Sequence, residues 1–193
     1  MESIQDKIDY SLPEDEKVFL SNLCRQPWTN VYIPGGMILK KELEPHVYTI
    51  PQLLIEGGTT YLVLLDSEEV AETELFRFAI VADKQKLDKM MSHTRPRFSE
   101  LVDFPGDLQI DQFLRVENRV SIIRFNVEIE NGKGGVLGKA AVDSGLLISN
   151  ENGRMVLYPN LAVPLDISIT TDEAKITDLL SKAASIEPLN LGS

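Results

Sequence analysis

The chain has 193 residues, 43% of them hydrophobic, enough to bury roughly 70% of its unfolded surface around one core, which excludes disorder throughout. Thirty acidic against nineteen basic side chains give a formal charge of −11, which repels phosphates and anionic lipid and excludes a broad nucleic-acid or membrane contact surface. The unbroken apolar run YLVLL at 61–65 is far short of the roughly 20 residues of a membrane-spanning helix. The single Cys24 can form no internal disulfide, and the N-terminal MESIQDKIDY has no apolar stretch of secretory length, so a reducing cytoplasm is the expected compartment.

In chain order, Ser11 followed by Glu14 has the spacing of a capping box, and Val18, Phe19, Leu20 and Leu23 supply an apolar stripe before Pro27. The pattern predicts a helix over 12–25. Strand signals follow at 31–33, 37–39, 47–55 and 61–65, separated by Pro34-Gly35-Gly36 and Gly57-Gly58. The run at 61–65 has no polar alternation and reads as a strand buried on both faces. A further strand is expected at 75–81. Asp83 then caps a helix over 83–92, with Leu87, Met90 and Met91 at helical spacing. Over 98–118, Ile110, Phe113 and Leu114 point to a short helix after the Pro105-Gly106 turn.

Ile123, Phe125, Val127 and Ile129 alternate with Arg124, Asn126, Glu128 and Glu130, the pattern of an antiparallel strand with one wet face. The glycine-rich ENGKGGVLGKAAVDSG follows at 130–145. A phosphate-binding P-loop needs a glycine five residues before its Gly-Lys pair and a Ser or Thr after it. For Gly138-Lys139 those positions hold Lys133 and Ala140, so both requirements fail. Gly132, Gly134 and Gly138 have a looser dinucleotide-like spacing, but no helix is predicted behind them to receive a pyrophosphate. The segment reads as a hairpin connection. Asn152-Gly153 between LLI (146–148) and MVL (155–157) marks a second hairpin. Val163, Leu165, Ile167 and Ile169 then alternate as a strand. Thr170 and Glu173 have capping-box spacing, and Ile176, Leu179, Leu180, Ala183 and Ala184 predict a last helix over 171–185.

The expected fold class is α+β: a mostly antiparallel sheet built of two β-meanders, with helices near 12–25, 83–92 and 171–185 packed on one face. The expected organisation is one domain over 1–193, with two intimately packed halves meeting near residue 97 as the alternative. No motif is specific enough to carry a family resemblance.

Asp66, Glu68, Glu69, Glu72 and Glu74 form an acidic run, and Lys84, Lys86, Lys89, His93, Arg95 and Arg97 a basic segment. Such runs serve as solvated faces, or as electrostatically steered docking surfaces for a partner protein. Trp28 and Tyr32, between Pro27 and Pro34, read either as an exposed aromatic anchor or as a buried corner between helix and sheet. Glu42, Glu44 and His46 form one ligand-type group and Asp103, Asp107 and Asp111 another; neither has a recognised zinc or calcium spacing.

The leading expectation is a non-catalytic, acidic cytoplasmic protein-binding module of the assembly-factor, chaperone, inhibitor or immunity type. Its partner is another protein with a basic surface, with no cofactor, nucleic acid or membrane. The rival is an enzyme or small-ligand-binding protein with a site around Glu44, His46 and His93. A nucleic-acid mimic is a third reading.

Overall fold

The computed structural model describes residues 8–33, 38–41, 43–51, 53–57, 60–69, 76–81, 105–131, 135–159 and 167–189; for 60–69 and 76–81 it describes the backbone only. The strands, in order, are β1 (Ile8–Tyr10), β2 (Trp28–Tyr32), β3 (Leu39–Lys40), β4 (Tyr48–Ile50), β5 (Leu53–Gly57), β6 (Thr60–Glu69) and β7 (Phe76–Val81). They continue with β8 (Arg119–Asn131), β9 (Gly135–Ser149), β10 (Arg154–Pro159), β11 (Ile167–Thr170) and β12 (Ser185–Pro188). Helix α1 (Glu14–Cys24) follows β1, α2 (Glu173–Ser181) follows β11, and one 3₁₀ turn spans Ile110–Phe113. This is an α+β fold with mostly antiparallel sheets.

The larger sheet runs β12-β8-β9-β10-β11-β4-β3, with β1 added in parallel to β9; the smaller runs β2-β5-β6-β7. Both expected meanders are present, as β5-β6-β7 and β8-β9-β10-β11. Strand β4 joins the second meander by pairing Tyr48, Thr49 and Ile50 with Ile169, Ser168 and Ile167 of β11.

Alternation along the strands makes two apolar clusters, because successive side chains point to opposite sheet faces. Met155 and Leu157 of β10 enter the main core with Leu20 and Leu23 of α1, Trp28, Ile50, Ile55 and Phe113. Val156 joins Ile123 and Ile176 of α2 in an outer cluster, with Tyr158, Phe125 and Leu179 packed against it. The two described helices therefore serve separate clusters, where the sequence pattern alone put them on one face. The expected helix over 83–92 lies outside the described residues.

Several local expectations need correction. Ser11 does not cap α1: its hydroxyl donates to Asp9 Oδ1 at 2.7 Å, and Pro13 holds the N-cap position. Pro13 fits there because its fixed φ suits a helix start, and Glu14, Asp15 and Glu16 in the first turn favour the helix dipole. Asp172, not Thr170, caps α2, accepting from Lys175 N at 2.9 Å. Thr170 is committed elsewhere, donating to the His46 carbonyl at 2.8 Å. That helix stops at Ser181, and the chain turns back as β12 to pair with β8 through Ser185↔Arg124 to Pro188↔Ser121. The edge strand β12 is exposed throughout and ends in Glu187-Pro188, residues that oppose further strand addition. Among the described residues of 98–118, the expected short helix is a 3₁₀ turn at Ile110–Phe113.

Of the glycine-rich segment 130–145, expected as a hairpin connection, Gly135 to Gly145 is instead part of strand β9, paired antiparallel with β8 out to Asn131↔Gly135. Strand β9 runs unbroken from Gly135 to Ser149, through Gly138-Lys139-Ala140-Ala141, residues that have little strand propensity of their own. The long β8 template enforces it, and two bulges absorb the mismatch: Leu137 and Ser144 have no partner in a register that steps from Ile129↔Gly138 to Glu130↔Val136 and from Ile123↔Gly145 to Arg124↔Asp143. Position 145 favours glycine, because an added Cβ would stand 3.0 Å from Ile123 Cβ and force it to give way. The next hairpin has a four-residue loop, 150–153, in place of a two-residue Asn-Gly turn. Asn150 Oδ1 accepts from Asn152 N at 2.7 Å and Gly153 N at 3.1 Å, while its Nδ2 donates to Gln112 O at 3.0 Å and Asn118 Oδ1 at 2.9 Å. An Asx turn tied to the 3₁₀ segment thus fixes the loop.

Candidate functional site

Strand β3 ends at Lys40, and the chain reverses through 43–47 before β4. Three backbone bonds close this turn: Lys41 N to Val47 O at 3.1 Å, Glu44 N to Lys41 O at 3.3 Å and Val47 N to Glu44 O at 3.1 Å. Lys41 Nζ adds a salt bridge to Glu44 Oε1 at 2.9 Å. His46 sits at φ 65°, a left-handed conformation in which non-glycine residues are uncommon. It is held there from two sides, by the Thr170 hydroxyl on its carbonyl and by Asp107 Oδ2 at 2.6 Å from Nδ1.

Asp107 also accepts a hydrogen bond from the Tyr48 hydroxyl. The Tyr48 and His46 hydrogen bonds hold the Asp107 carboxyl below its ordinary range. Burial, then the hydrogen bond to Asp107 and its charge, push the Tyr48 phenol up to about 12. A carboxylate on Nδ1 fixes an imidazole's orientation, as a general base would need. The contacts this knot makes beyond itself, Thr171 Oγ1 to Asp107 O at 3.2 Å and Thr170 to His46 O, tie the turn to the end of β11. The arrangement thus anchors the turn.

At the tip of this anchored turn Leu43 is 95% exposed, and Leu39 on the terminal strand β3 is 50% exposed. Across the sheet from the main core, α2 and the 43–47 turn enclose a cleft of about 460 Å³. Phe125, Val127, Val142 and Tyr158 form its apolar lining, and Glu44, Lys175 and Lys182 are among its polar groups. Glu44 Oε2 accepts from Tyr158 Oη at 3.4 Å, and Lys41 Nζ lies 5.6 Å from the Tyr158 ring centroid. Burial first, then the Glu44 charge, raises the Tyr158 phenol above its ordinary range, so it stays a hydrogen-bond donor.

Of the residues singled out in the sequence, Glu44 and His46 share the turn but diverge, Glu44 to the cleft and His46 to Asp107. Asp66, Glu68 and Glu69 lie on β6, with Asp66 in a bulge, Glu68 opposite Arg77 and Glu69 opposite Phe76. Trp28 is 0% exposed and packs in the main core. It holds the corner position, not that of an exposed anchor, and its carbonyl accepts from Arg115 N at 2.7 Å. Tyr32 closes β2 opposite Leu54. Glu72, Glu74, Lys84, Lys86, Lys89, His93, Arg95 and Arg97 lie outside the described residues, and the separation of the two histidines with them. Among the described residues, no three His, Cys, Asp or Glu side chains converge as a metal-ion site. No described helix is long and apolar enough to cross a membrane.

Sequence reading missed Tyr158 and Lys175 in the cleft, and it placed Asp107 and His46 in separate groups. The partners are 61 residues apart for His46 and Asp107 and 114 apart for Glu44 and Tyr158, so spacing carried no signal. A second omission was legible: Asp143 follows Ala-Ala-Val, a lone charge in an apolar run. It is 2% exposed, accepts from Leu12 N at 2.8 Å and lies 3.6 Å from Arg124 Nη1. Arg124 also bonds Asp9 and Ser11, so this cluster clasps β1 and the start of α1 to the β8–β9 pair.

No family model, curated protein or solved structure significantly matches this chain.

Proposed function

We propose that this chain is a non-catalytic protein-binding module whose partner presents a basic, partly apolar surface. The observation that carries the reading is Leu43, a large apolar side chain held 95% exposed on a turn fixed by three backbone hydrogen bonds and the His46–Asp107 pair. Burying such a side chain contributes about 1.5–3 kcal/mol. On an already ordered turn, little of that is lost to immobilisation. Leu39, on the terminal strand that leads into the same turn, is also exposed, and the chain's −11 charge favours encounter with a basic partner. Assembly factors, chaperones, inhibitors and immunity proteins are the kinds of module this reading covers.

The test compares the tagged wild-type chain with Leu43→Asp as bait in nuclease-treated native lysate, washed at low and high salt. The expected result is a stoichiometric protein partner that salt releases and that the variant fails to capture. Equal capture by the variant, or no partner under either wash, contradicts the reading.

A further inference from the structure

Beyond partner docking, we propose that the cleft beneath α2 is a binding site for a small aromatic carboxylate. Its volume, about 460 Å³, is within the ~300–1,000 Å³ typical of small-molecule sites, which combine an apolar lining with a few placed polar groups. The cleft has that composition. Phe125 and Tyr158 offer ring surfaces on adjacent parts of one sheet face, with Val127, Val142 and Leu179 beside them. Aromatic rings favour offset or edge-to-face contact with another ring over aliphatic packing of equal area.

The charge of the ligand follows from pairing. Two carboxylates line the cleft, and each has its own ammonium: Glu44 is 2.9 Å from Lys41 Nζ, and Asp178 is 2.7 Å from Lys182 Nζ. Lys175, one turn before Asp178–Leu179 on α2, also lines the cleft. Among the described residues its ammonium makes no salt bridge. The lining itself balances, with Glu44 and Asp178 against Lys175 and Lys182; with Lys41, which neutralises Glu44 from beside the cleft, the group has three ammoniums to two carboxylates, one positive charge in excess, within a protein of net charge −11. An isolated ammonium beside an apolar surface selects an anion whose body can cover that surface, because the ion pair strengthens as water is excluded. The adjacent bulge residue Ser144 lines the same space and adds a neutral polar group. An aromatic cation is disfavoured by the same excess charge, and a neutral ring leaves Lys175 without a counter-ion.

The experiment uses the full ¹⁵N-labelled chain and three probes of one shape: 2-naphthoate, neutral 2-naphthamide and cationic 2-naphthylmethylammonium. Amide shifts are followed by NMR during titration. The expected result is saturable 1:1 binding of 2-naphthoate, with shifts concentrated at Phe125–Val127 and in α2, and affinity at least about tenfold above either comparator, the step that corresponds to ~1.4 kcal/mol. Lys175→Glu should weaken naphthoate by about tenfold or more, while Lys175→Arg retains it. Both change only a part-exposed side chain, since the capping bond to Asp172 is made by the Lys175 backbone N–H. Val127→Trp, which fills the floor, should abolish binding of all three probes. Equal affinity for acid and amide, shifts centred away from the cleft, or no saturable shift for naphthoate overturns the proposal.

Discussion

Replacing Asp143 by alanine removes the acceptor that holds Leu12 N at 2.8 Å and the carboxylate 3.6 Å from Arg124 Nη1. Leu12 is 4% exposed, so its N–H is left buried without a partner, a loss of about 1–3 kcal/mol. Breaking a fully buried ion pair costs about 3–5 kcal/mol. That limit is not reached here, because the Arg124 side chain is 20% exposed and keeps Asp9 and Ser11. The expected destabilisation is about 3 kcal/mol, or a fall in Tm of about 6–12 °C for a chain of this size. Asp143→Asn keeps a neutral oxygen for Leu12. Its amide NH₂ then faces Arg124 Nη1, which stands 3.6 Å from Asp143 Oδ1, so the ion pair is lost while the Leu12 bond is kept, and the cost should be smaller than for alanine, about 1–2 kcal/mol. Denaturant unfolding gives both numbers. Hydrogen exchange of Asp143→Ala should show the amides of 8–12 losing protection before those of β10. A cost below about 1 kcal/mol for alanine, or equal costs for the two variants, refutes the clasp.

Four further outcomes are expected. Tyr48 has a folded pKa raised from 10.0 to about 12, so its contribution is complete below pH 10 and lost as pH rises from 10 to 12. Phenolate absorbance should show Tyr48 and Tyr158 both titrating late, and Tyr48→Phe should remove one of these late phenols and flatten that alkaline limb. Asp107 has a folded pKa held down, so its contribution is present at neutral pH and lost as pH falls below about 4; Asp107→Asn should remove that part of the acid limb of a stability titration. Gly145→Ala sets a Cβ 3.0 Å from Ile123 Cβ and should cost about 1–3 kcal/mol by overpacking, read by thermal unfolding. Asn150→Ala deletes the two bonds that close the 150–153 loop and the two to Gln112 and Asn118, and should cost about 2–4 kcal/mol by denaturant unfolding, since the buried Asn118 loses a partner.

The parts of the fold written in local periodicity were readable from sequence. The alternation at 123–129, the apolar face of 176–180 and the hairpin around 152–153 each became the expected element, because each pattern reports on the next few residues alone. Errors arose where another group took the expected capping side chain, two residues away for Ser11 and far along the chain for Thr170. Ser11 was drawn from its capping role by Asp9, and Thr170 by the His46 carbonyl 124 residues away. The strand through Ala140-Ala141-Val142 is imposed by β8, whose partner residues no local propensity encodes. The last helix was read four residues too long because Ala183 and Ala184 continue its apolar face; Ala183 does pack with the outer cluster, but the Ala184 N–H goes to Arg124 O at 2.7 Å and starts the return to β8. At the site, Glu44 was legible as a ligand-type residue. Tyr158 and Lys175 were not, because a phenol in a strand and a lysine on a helix are ordinary until the fold brings them to one cleft.

The measurement closest to the central claim is partner capture by wild-type chain and Leu43→Asp side by side. Leu43 is 95% exposed, so the substitution should leave the unfolding midpoint within the roughly ±0.5 kcal/mol of an ordinary surface change. The account predicts an unchanged midpoint together with loss of a salt-sensitive, stoichiometric protein partner. An unchanged midpoint with undiminished capture would contradict docking through the 43–47 turn.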